Sequence, residues 1–464
     1  MTREETVSHP YIPNTVPEVQ REMLDEIGVK NIDELFEGIP QGLKLKDEMN
    51  IPSALTELEL RREIETSLNL NKNCRENINF MGAGCWQHFV PAVCDEINQR
   101  SELLTAYAGE PYEDHGRIQA LFEYQSLVAE LVDMEVVNVP TFDWAQAAAT
   151  SLRMACRITG RNEVLLPRTI DPDKLKIIKN YCSPDISCEL VDYEPQSGQI
   201  DMQDLKGKIS FNTAAVYFEN PSFLGFIEEK GDEISKLSHQ SGALSIIGVD
   251  PSSLGVLEAP SQYGADIVCG DLQPLGMHMN YGGGQAGFIA TRDEEKFVQE
   301  YPSRLFGIVP TEVEGEYGFG DITFERTSLY DRINGKESVG TQTALWGITA
   351  GVYLSILGPN GMYELGQIIL QNSQYAQKKL SNLKGVTSSR FNSQNFKEFV
   401  IDFNGTGKTV EVIHQQLLKK GIFPGMDLSE SFPELGQSAL YCVTEVHSKN
   451  DIDKLVKTIQ EVIE

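Results

Sequence analysis

Residues Ile247–Gly287, IGVDPSSLGVLEAPSQYGADIVCGDLQPLGMHMNYGGGQAG, carry the clearest indication of the fold class. An apolar run ends at Asp250, a turn and a short helix pass through Tyr263, and a second apolar run, Ala265–Cys269, ends near Asp271. A triple glycine follows. Apolar runs of this length, each bounded by turn residues, are typical of buried strands in a parallel sheet, and ligands of such sheets gather at the carboxyl ends of the strands.

This order matches the cofactor cradle of the large pyridoxal-phosphate fold. There the first strand ends in an aspartate that pairs with the pyridine nitrogen, and the second leads to the lysine that forms the Schiff base. Asp250 takes the position of the aspartate, but by register Pro274 stands where the lysine should be, and no lysine occurs from Leu237 through Glu295. Proline has no primary amine, so the sequence predicts that this chain alone forms no aldimine.

The rest of the chain predicts an α/β protein with three parts. We expect a helical N-terminal extension over residues 1–75, a large α/β domain over 76–340 and a small C-terminal α/β domain over 341–464. Helices fall between several predicted strands, which is typical of a mainly parallel sheet with helices on both faces. The strands predicted for the large domain are Glu163–Leu166, Ser187–Val191, Thr213–Tyr217, Leu244–Val249, Asp266–Cys269 and Gly287–Ala290.

Composition favours a globular, cytoplasmic protein. The formal net charge is −29 over 464 residues, which repels phosphate backbones and anionic lipid and so argues against nucleic-acid and membrane partners. The first residues have no apolar core behind their charges, and no run of about 18 apolar residues occurs, so neither export nor a membrane span is predicted. The eight cysteines form no CxxC pair, which argues against a zinc or dithiol site.

Seven segments spread along the chain form a further pattern: SHPYIPNT, FMGAGCWQHFVPAV, LLTAYAGEP, VYFENPSFLGFIEE, VDPSSLGVLEAPSQYGADIVCG, VYLSILGPNG and the late CVTE. Together they resemble the glycine dehydrogenase (decarboxylating) P-protein and, more closely, subunit 1, the alpha subunit of its two-chain form. The resemblance covers nearly the whole chain, in family order and at family-like spacing.

The resemblance implies the pyridoxal-phosphate-dependent transferase-like fold, fold type I. It also implies a homologous beta subunit that carries the pyridoxal phosphate and its lysine, while the alpha subunit keeps the fold with a vacated lysine position, as at Pro274. Glycine loses its carboxylate as carbon dioxide, and its aminomethyl group passes to the lipoyl arm of the H-protein. The cofactor ring acts as the electron sink.

The chain departs from the family pattern at three places, and we describe it as a divergent member. Trp144 follows Asp143 where the family has glycine, and Tyr112–His115 replaces a loop of glutamate, isoleucine, serine and glutamine. A basic segment before the C-terminal domain is retained only as Arg326, Arg332 and Thr341. These departures keep two alternatives open: a paralogous subunit acting on another amino acid, or a non-catalytic binding or regulatory relative.

The candidate site residues fall into two groups. One group is expected to line the substrate or partner site, because in dimers of this fold a loop of one chain completes the pocket of the other: Tyr107, His115, Trp144, Arg326, Arg332 and Thr341. The arginines could hold a carboxylate through the guanidinium fork. The second group would be the remains of a cofactor site: Asn220, Asp250, His278, Gly282 and Gly283. His88 is a further histidine near a predicted strand-end loop, and for each of these residues an ordinary structural role is the competing interpretation.

Overall fold

The computed structural model describes residue 11 and residues 16–44, 50–103, 115–337 and 342–464; for His115 and Gly116 only the backbone is described. The chain forms two compact units, Met1–Asn71 and Lys72–Glu464. The predicted domain boundaries at residues 75 and 340 stay predictions.

The first unit is helical. Helix α1 spans Pro17–Ile27 and ends at Gly28, whose φ of 85° lies in the left-handed region that favours glycine at this position. A 3₁₀ turn follows at Ile32–Phe36, and helix α2 spans Glu57–Leu68. Thr56 begins α2 with a capping box, because its side chain accepts from the amide of Glu59 and the Glu59 carboxylate accepts in return from Thr56.

A seven-stranded sheet dominates the described part of the second unit. A separate short strand, β1, spans Ile78–Asn79, and the seven strands of the sheet are β2 Val136–Val137, β3 Glu163–Pro167, β4 Ser187–Val191, β5 Thr213–Glu219, β6 Leu244–Val249, β7 Ile267–Asp271 and β8 Gly287–Thr291. Their order in the sheet is β2-β8-β7-β6-β5-β3-β4, with parallel pairing from β4 to β7 and antiparallel pairing of β8 with β7 and β2. The predicted strands are therefore confirmed to within a residue or two at their ends.

Two apolar cores cover the faces of this sheet. All seven residues of β5 are buried, and those from Ala215 to Phe218 alternate between the two cores: Val216 and Phe218 belong to one, Ala215 and Tyr217 to the other. A central parallel strand has no solvent-facing side, which is why its sequence is an almost continuous apolar run. The helices of this part are α3 Ala92–Asn98, α4 His115–Val132, α5 Trp144–Thr159, α6 Pro172–Cys182, α7 Met202–Lys208, α8 Gly231–Gln240 and α9 Glu295–Val298.

A long helix, α10 (Ala344–Leu380), leads from the large sheet to the C-terminal part of the chain. It is interrupted at Gly358, where φ is 59°, just before Pro359. Proline cannot donate an amide hydrogen bond and disfavours helical backbone in the residue before it, so the break lies where the sequence places Gly-Pro. The N-terminal half packs closely on α4: a Cβ at Gly351 would lie 3.2 Å from the Cα of Tyr124.

The C-terminal domain is a small antiparallel sheet with two helices. A hairpin of β9 Phe306–Pro310 and β10 Tyr317–Asp321 precedes α10, and the elements after α10 are β11 Glu398–Asp402, α11 Val410–Lys419, β12 Ile422–Phe423, β13 Met426–Asp427, β14 Ser438–Cys442 and α12 Lys449–Ile463. The strand order of the C-terminal sheet is β11-β14-β13, its core includes Phe399, Ile413, Tyr441 and Leu455, and β12 pairs with β1. The predicted fold, a fold type I large domain with a small C-terminal α/β domain and a helical N-terminal extension, is thus what the structure has.

Within the described ranges, no helix is long and apolar enough to cross a membrane. All eight cysteines are free, and five of them are buried.

Candidate functional site

A cavity of about 240 Å³ opens at the carboxyl ends of β5 and β6, between the large sheet and the start of the C-terminal domain. Glu219 ends β5, Asp250 follows β6, and Lys397 precedes β11. The described residues that line the cavity include six residues with carboxyl side chains and only two lysines, so the lining is acidic. Those charged residues are Asp143, Asp171, Asp173, Glu219, Asp250, Glu398, Lys174 and Lys397.

Asp250 is already paired with an ammonium group of the same chain. Lys397 Nζ lies 2.6 Å from Asp250 Oδ2, and the two side chains are only 3% and 6% exposed. The other carboxylate oxygen, Oδ1, accepts from the hydroxyl and the amide of Ser252 at 2.7 and 3.0 Å. The carboxylate that would pair with a pyridine nitrogen is therefore satisfied without one.

His88 connects this pair to the C-terminal domain. Its Nε2 lies 3.1 Å from Lys397 Nζ, and its Nδ1 lies 2.9 Å from Glu445 Oε2. An ammonium can only donate, so Nε2 is the acceptor and Nδ1 carries the proton that bonds to Glu445. The other oxygen of Glu445 accepts from the amide of Phe89 at 2.7 Å. The segments FMGAGCWQHFVPAV and CVTE thus meet at this histidine.

A second buried ion pair lines the same cavity. Lys174 Nζ, in the first turn of α6, is 2.5 Å from Glu219 Oε1, and the side chains are 8% and 2% exposed. The hydroxyl of Tyr217 donates to the same oxygen at 2.8 Å. The ammonium also lies 3.6 Å from the ring centroid of Trp144, which is the geometry of a cation–π contact.

The N-terminus of α5 holds carboxylates of this chain. Asp143 Oδ1 accepts from the amide of Gln146 at 2.7 Å, and Asp271 Oδ2 accepts from the amide of Trp144 at 3.1 Å. Helix N-termini bind anions through such amides. Asp271 also accepts from the amides of Gln273 and Ala286, and burial raises its pKa to about 6. Two of the helix N-terminal amides that would bind a phosphate therefore already donate to carboxylates of this chain, and these carboxylates would repel a phosphate.

Pro274 is buried in the turn that follows β7, where the amide of Leu275 donates to the carbonyl of Leu272 at 2.8 Å. The preceding side chain, Gln273, exchanges hydrogen bonds with the backbone of Trp86 at 3.0 and 2.8 Å. No amine is presented at this turn. Taken with the engaged Asp250 and the capped α5, the residues present do not fit pyridoxal phosphate.

Glu398 completes the wall of the cavity beside Lys397. Its carboxylate accepts from the amide of Ala83 at 2.6 Å, and burial raises its pKa to about 7. A carboxyl group in this position is partly protonated near neutral pH, which reduces the charge that the interior must hold.

The predicted residues divide between this cavity and other places. Asp250 and Trp144 line it. Asn220 follows β5, but its side chain holds the 220–228 loop: Oδ1 accepts from the amide of Glu228 at 3.1 Å. His278 lies on the surface, 2.9 Å from Asp95, and Gly282 and Gly283 form an exposed turn. Neither the histidine nor the glycines are among the lining residues.

The predicted partner-site residues lie elsewhere. The guanidinium of Arg326 is buried and donates to the carbonyls of Tyr301 and Ser303 at 2.5 and 2.7 Å. Burial lowers its pKa to about 10, so it stays charged at neutral pH. Arg332 is exposed. Tyr107 and Thr341 lie outside the described residues, and His115 begins α4 with its side chain outside them as well.

No local sequence pattern singles out the two lysines of this cavity. Lys397 is one lysine before an ordinary strand, and Lys174 is one lysine on an ordinary helix. Glu219 directly precedes the Asn220-Pro221 pair at a strand end, which was the available signal for it. Among the residues that the structure describes, no group of histidine, cysteine, aspartate or glutamate side chains could hold a metal ion.

Comparisons with known proteins match nearly the full length of this chain to one protein family. The model of the glycine cleavage system P-protein family matches residues 9–459. A probable glycine dehydrogenase (decarboxylating) subunit 1 of Staphylothermus marinus is 40% identical over 465 residues, 98% of each chain, and one of Pyrococcus abyssi is 39% identical over 457 residues, 98% of this chain and 99% of that protein.

Solved structures give the same picture. A crystal structure of glycine decarboxylase (P-protein) of the glycine cleavage system, in inhibitor-bound form, superposes with a TM-score of 0.82 at 30% identity, covering 98% of this chain and 100% of that one. A NifS-like protein superposes with a TM-score of 0.63 at 12% identity, covering 83% and 99%, which shows a shared fold alone.

Proposed function

Because this chain belongs to the glycine cleavage system P-protein family, we propose that it is the alpha-type subunit, without a Schiff-base lysine, of a two-chain glycine decarboxylase. Its relatives of similar length carry the name subunit 1, which supports a second, homologous subunit. That beta subunit would carry the lysine and the pyridoxal phosphate, and the two would assemble as αβ or α₂β₂. The lipoyl-bearing H-protein would accept the aminomethyl group.

One observation carries this proposal: the carboxylates at the place for a cofactor in this chain are already paired with the chain's own lysines. Lys397 holds Asp250, Lys174 holds Glu219, and position 274 is proline. A subunit built in this way contributes to catalysis through a partner's site rather than its own. The residues proposed to reach that partner site are those predicted from the sequence: Tyr107, His115, Trp144, Arg326, Arg332 and Thr341.

The structure allows these candidates to be ranked for testing. One terminal nitrogen of Arg326 donates to two backbone carbonyls, which is typical of a structural role. Arg332 is exposed in the segment that departs from the family, so it is the better candidate for a contact with the partner or with a carboxylate.

A paralogue acting on a different amino acid remains the second candidate function. Trp144 favours it: the family has glycine there, and the indole of this chain is buried against Lys174. The changed segment 327–340 before the C-terminal domain favours it too.

The test is reconstitution with the beta subunit encoded in the same source. Exchange of labelled bicarbonate into the carboxyl group of glycine, with lipoyl H-protein present, supports the proposal. No exchange, from an assembly whose beta subunit does bind pyridoxal phosphate, rejects glycine in favour of the paralogue. Isolation of the chain only as a homodimer favours the binding or regulatory alternative. Comparison of Trp144→Gly with Trp144→Phe then asks whether the family's small residue changes the amino acid accepted.

A further inference from the structure

We infer that the ammonium group of Lys397 binds Asp250 in place of an external cationic ligand. We infer further that this ion pair holds the C-terminal domain in one fixed position relative to the large domain. In a pyridoxal-phosphate enzyme the equivalent carboxylate pairs with a cationic ring nitrogen. Here a side chain of the same polypeptide supplies the cation. The inference goes beyond the proposed function, because it holds whichever amino acid the assembly acts on.

The surroundings of the ammonium form a complete binding site for it. A lysine has three N–H donors, and Nζ of Lys397 has three acceptors: Asp250 Oδ2 at 2.6 Å, His88 Nε2 at 3.1 Å and Ser252 Oγ at 3.4 Å. Ser252 donates its own proton to Asp250, so its lone pairs are free to accept. The ring of Trp86 covers the ammonium, with the centroid 3.7 Å from Nζ.

Further hydrogen bonds fix the positions of His88 and Lys397. Glu445 fixes the ring of His88 through Nδ1, and the amide of Phe89 fixes Glu445. The carbonyl of Lys397 accepts from the amide of Val443 at 2.9 Å, which anchors the lysine backbone to the segment after β14. A buried ion pair repays the loss of hydration only with such geometry.

The contacts join two parts of the fold. Asp250 and Ser252 follow β6 of the large sheet, whereas Lys397 and Glu445 flank strands of the C-terminal sheet. Displacing the C-terminal domain would separate the ammonium of Lys397 from Asp250 and Ser252 and so break a buried ion pair. That state is strongly unfavourable, so the pair acts as a latch.

The experiment replaces the ammonium in the intact chain. Lys397→Ala removes Cγ, Cδ, Cε and Nζ, and n-propylammonium has the same four heavy atoms. We expect the unfolding temperature of the variant to be on the order of 5 °C lower than that of the wild type. Addition of n-propylammonium should restore most of this difference, and the effect should saturate with its concentration. The neutral probe 1-propanol, which has equal size, should restore none of it. The wild type and the exposed-lysine control Lys408→Met should respond to neither. In Lys397→Ala/Asp250→Asn the rescue should disappear, because the negative partner is gone.

Equal rescue by 1-propanol, or none by n-propylammonium, would overturn the inference, as would a Lys397→Ala chain as stable as Lys408→Met. If Lys397→Ala does not fold, Lys397→Met keeps the volume without the charge. Lys397→Met/Asp250→Asn should then be more stable than Lys397→Met, and a double variant no more stable than the single one rejects the pair. These outcomes are independent of bicarbonate exchange, so failure of the latch and failure of the proposed function are distinguishable.

Discussion

Replacing Lys174 with methionine should lower the free energy of unfolding by about 3–5 kcal/mol, which is the range for breaking a buried ion pair from one side. The carboxylate of Glu219 would stay in the interior, 2% exposed, with the hydroxyl of Tyr217 as its remaining described partner. The contact of the ammonium with Trp144 would also be lost, and such a contact contributes roughly 0.5–2 kcal/mol depending on desolvation.

Lys176 provides a matched control in the same helix. It pairs with Asp173 at 2.8 Å, but both side chains are about four-fifths exposed. Water and salt screen an exposed pair, so it contributes little to stability, and Lys176→Met should stay close to the wild type. Urea unfolding of the intact chain, followed by circular dichroism and tryptophan fluorescence together, measures both variants and also reveals any intermediate.

A double variant separates the pair from the packing. In Lys174→Met/Glu219→Gln neither charge is left, and the glutamine oxygen can still accept from Tyr217, so most of the loss should be recovered. A Lys174→Met chain as stable as Lys176→Met would refute a stabilising buried pair. Lack of recovery on replacing Glu219 in the Lys174→Met background would refute it as well.

Three further outcomes are expected. The purified chain should show no internal aldimine absorbance near ~420 nm, because Pro274 offers no amine; a band that a lysine substitution in this chain abolishes would contradict this. Burial raises the pKa of Glu398 from 4.5 to about 7. The native state therefore binds this proton more tightly than the unfolded state does, and the resulting stability is fully present below pH 4.5 and is lost as the pH rises through 7. Between pH 4.5 and 7.5 the free energy of unfolding of Glu398→Gln should rise relative to that of the wild type by roughly 3 kcal/mol; parallel pH curves of the two proteins would refute this. Gly255→Ala should cost roughly 1–3 kcal/mol, because the new Cβ would lie 2.0 Å from the carbonyl oxygen of Met362; Gly207→Ala, with no atom within 4 Å, is the control, and equal unfolding midpoints would disprove the clash.

Much of the fold follows from local sequence patterns. The apolar runs over Leu244–Val249 and Thr213–Tyr217 predict buried strands, because a parallel strand covered on both faces has no polar side. Gly28 marks the end of α1 for an equally local reason, since it takes up left-handed backbone at no steric cost. The same holds for the missing amine at Pro274: it is a property of one residue in a register that the neighbouring strands define.

The content of the cavity was not predictable in this way. Lys397 is 147 residues from Asp250 and Lys174 is 45 residues from Glu219, and nothing in the local sequence distinguishes these lysines from exposed ones such as Lys176. The prediction for Asp250 named a vestigial cofactor contact or a turn cap, and in the structure its Oδ1 accepts from the Ser252 amide while Oδ2 pairs with Lys397.

The sequence by itself therefore determined the fold, the family and the absence of a lysine from the turn after β7, since each depends on short, contiguous patterns. Only the tertiary structure decided which side chains pair with Asp250 and Glu219. The energy of a charged pair depends on its distance and its burial. Both are set by segments that are distant in sequence: α6 lies against β5 for Lys174 and Glu219, and the C-terminal sheet lies against the end of β6 for Lys397 and Asp250.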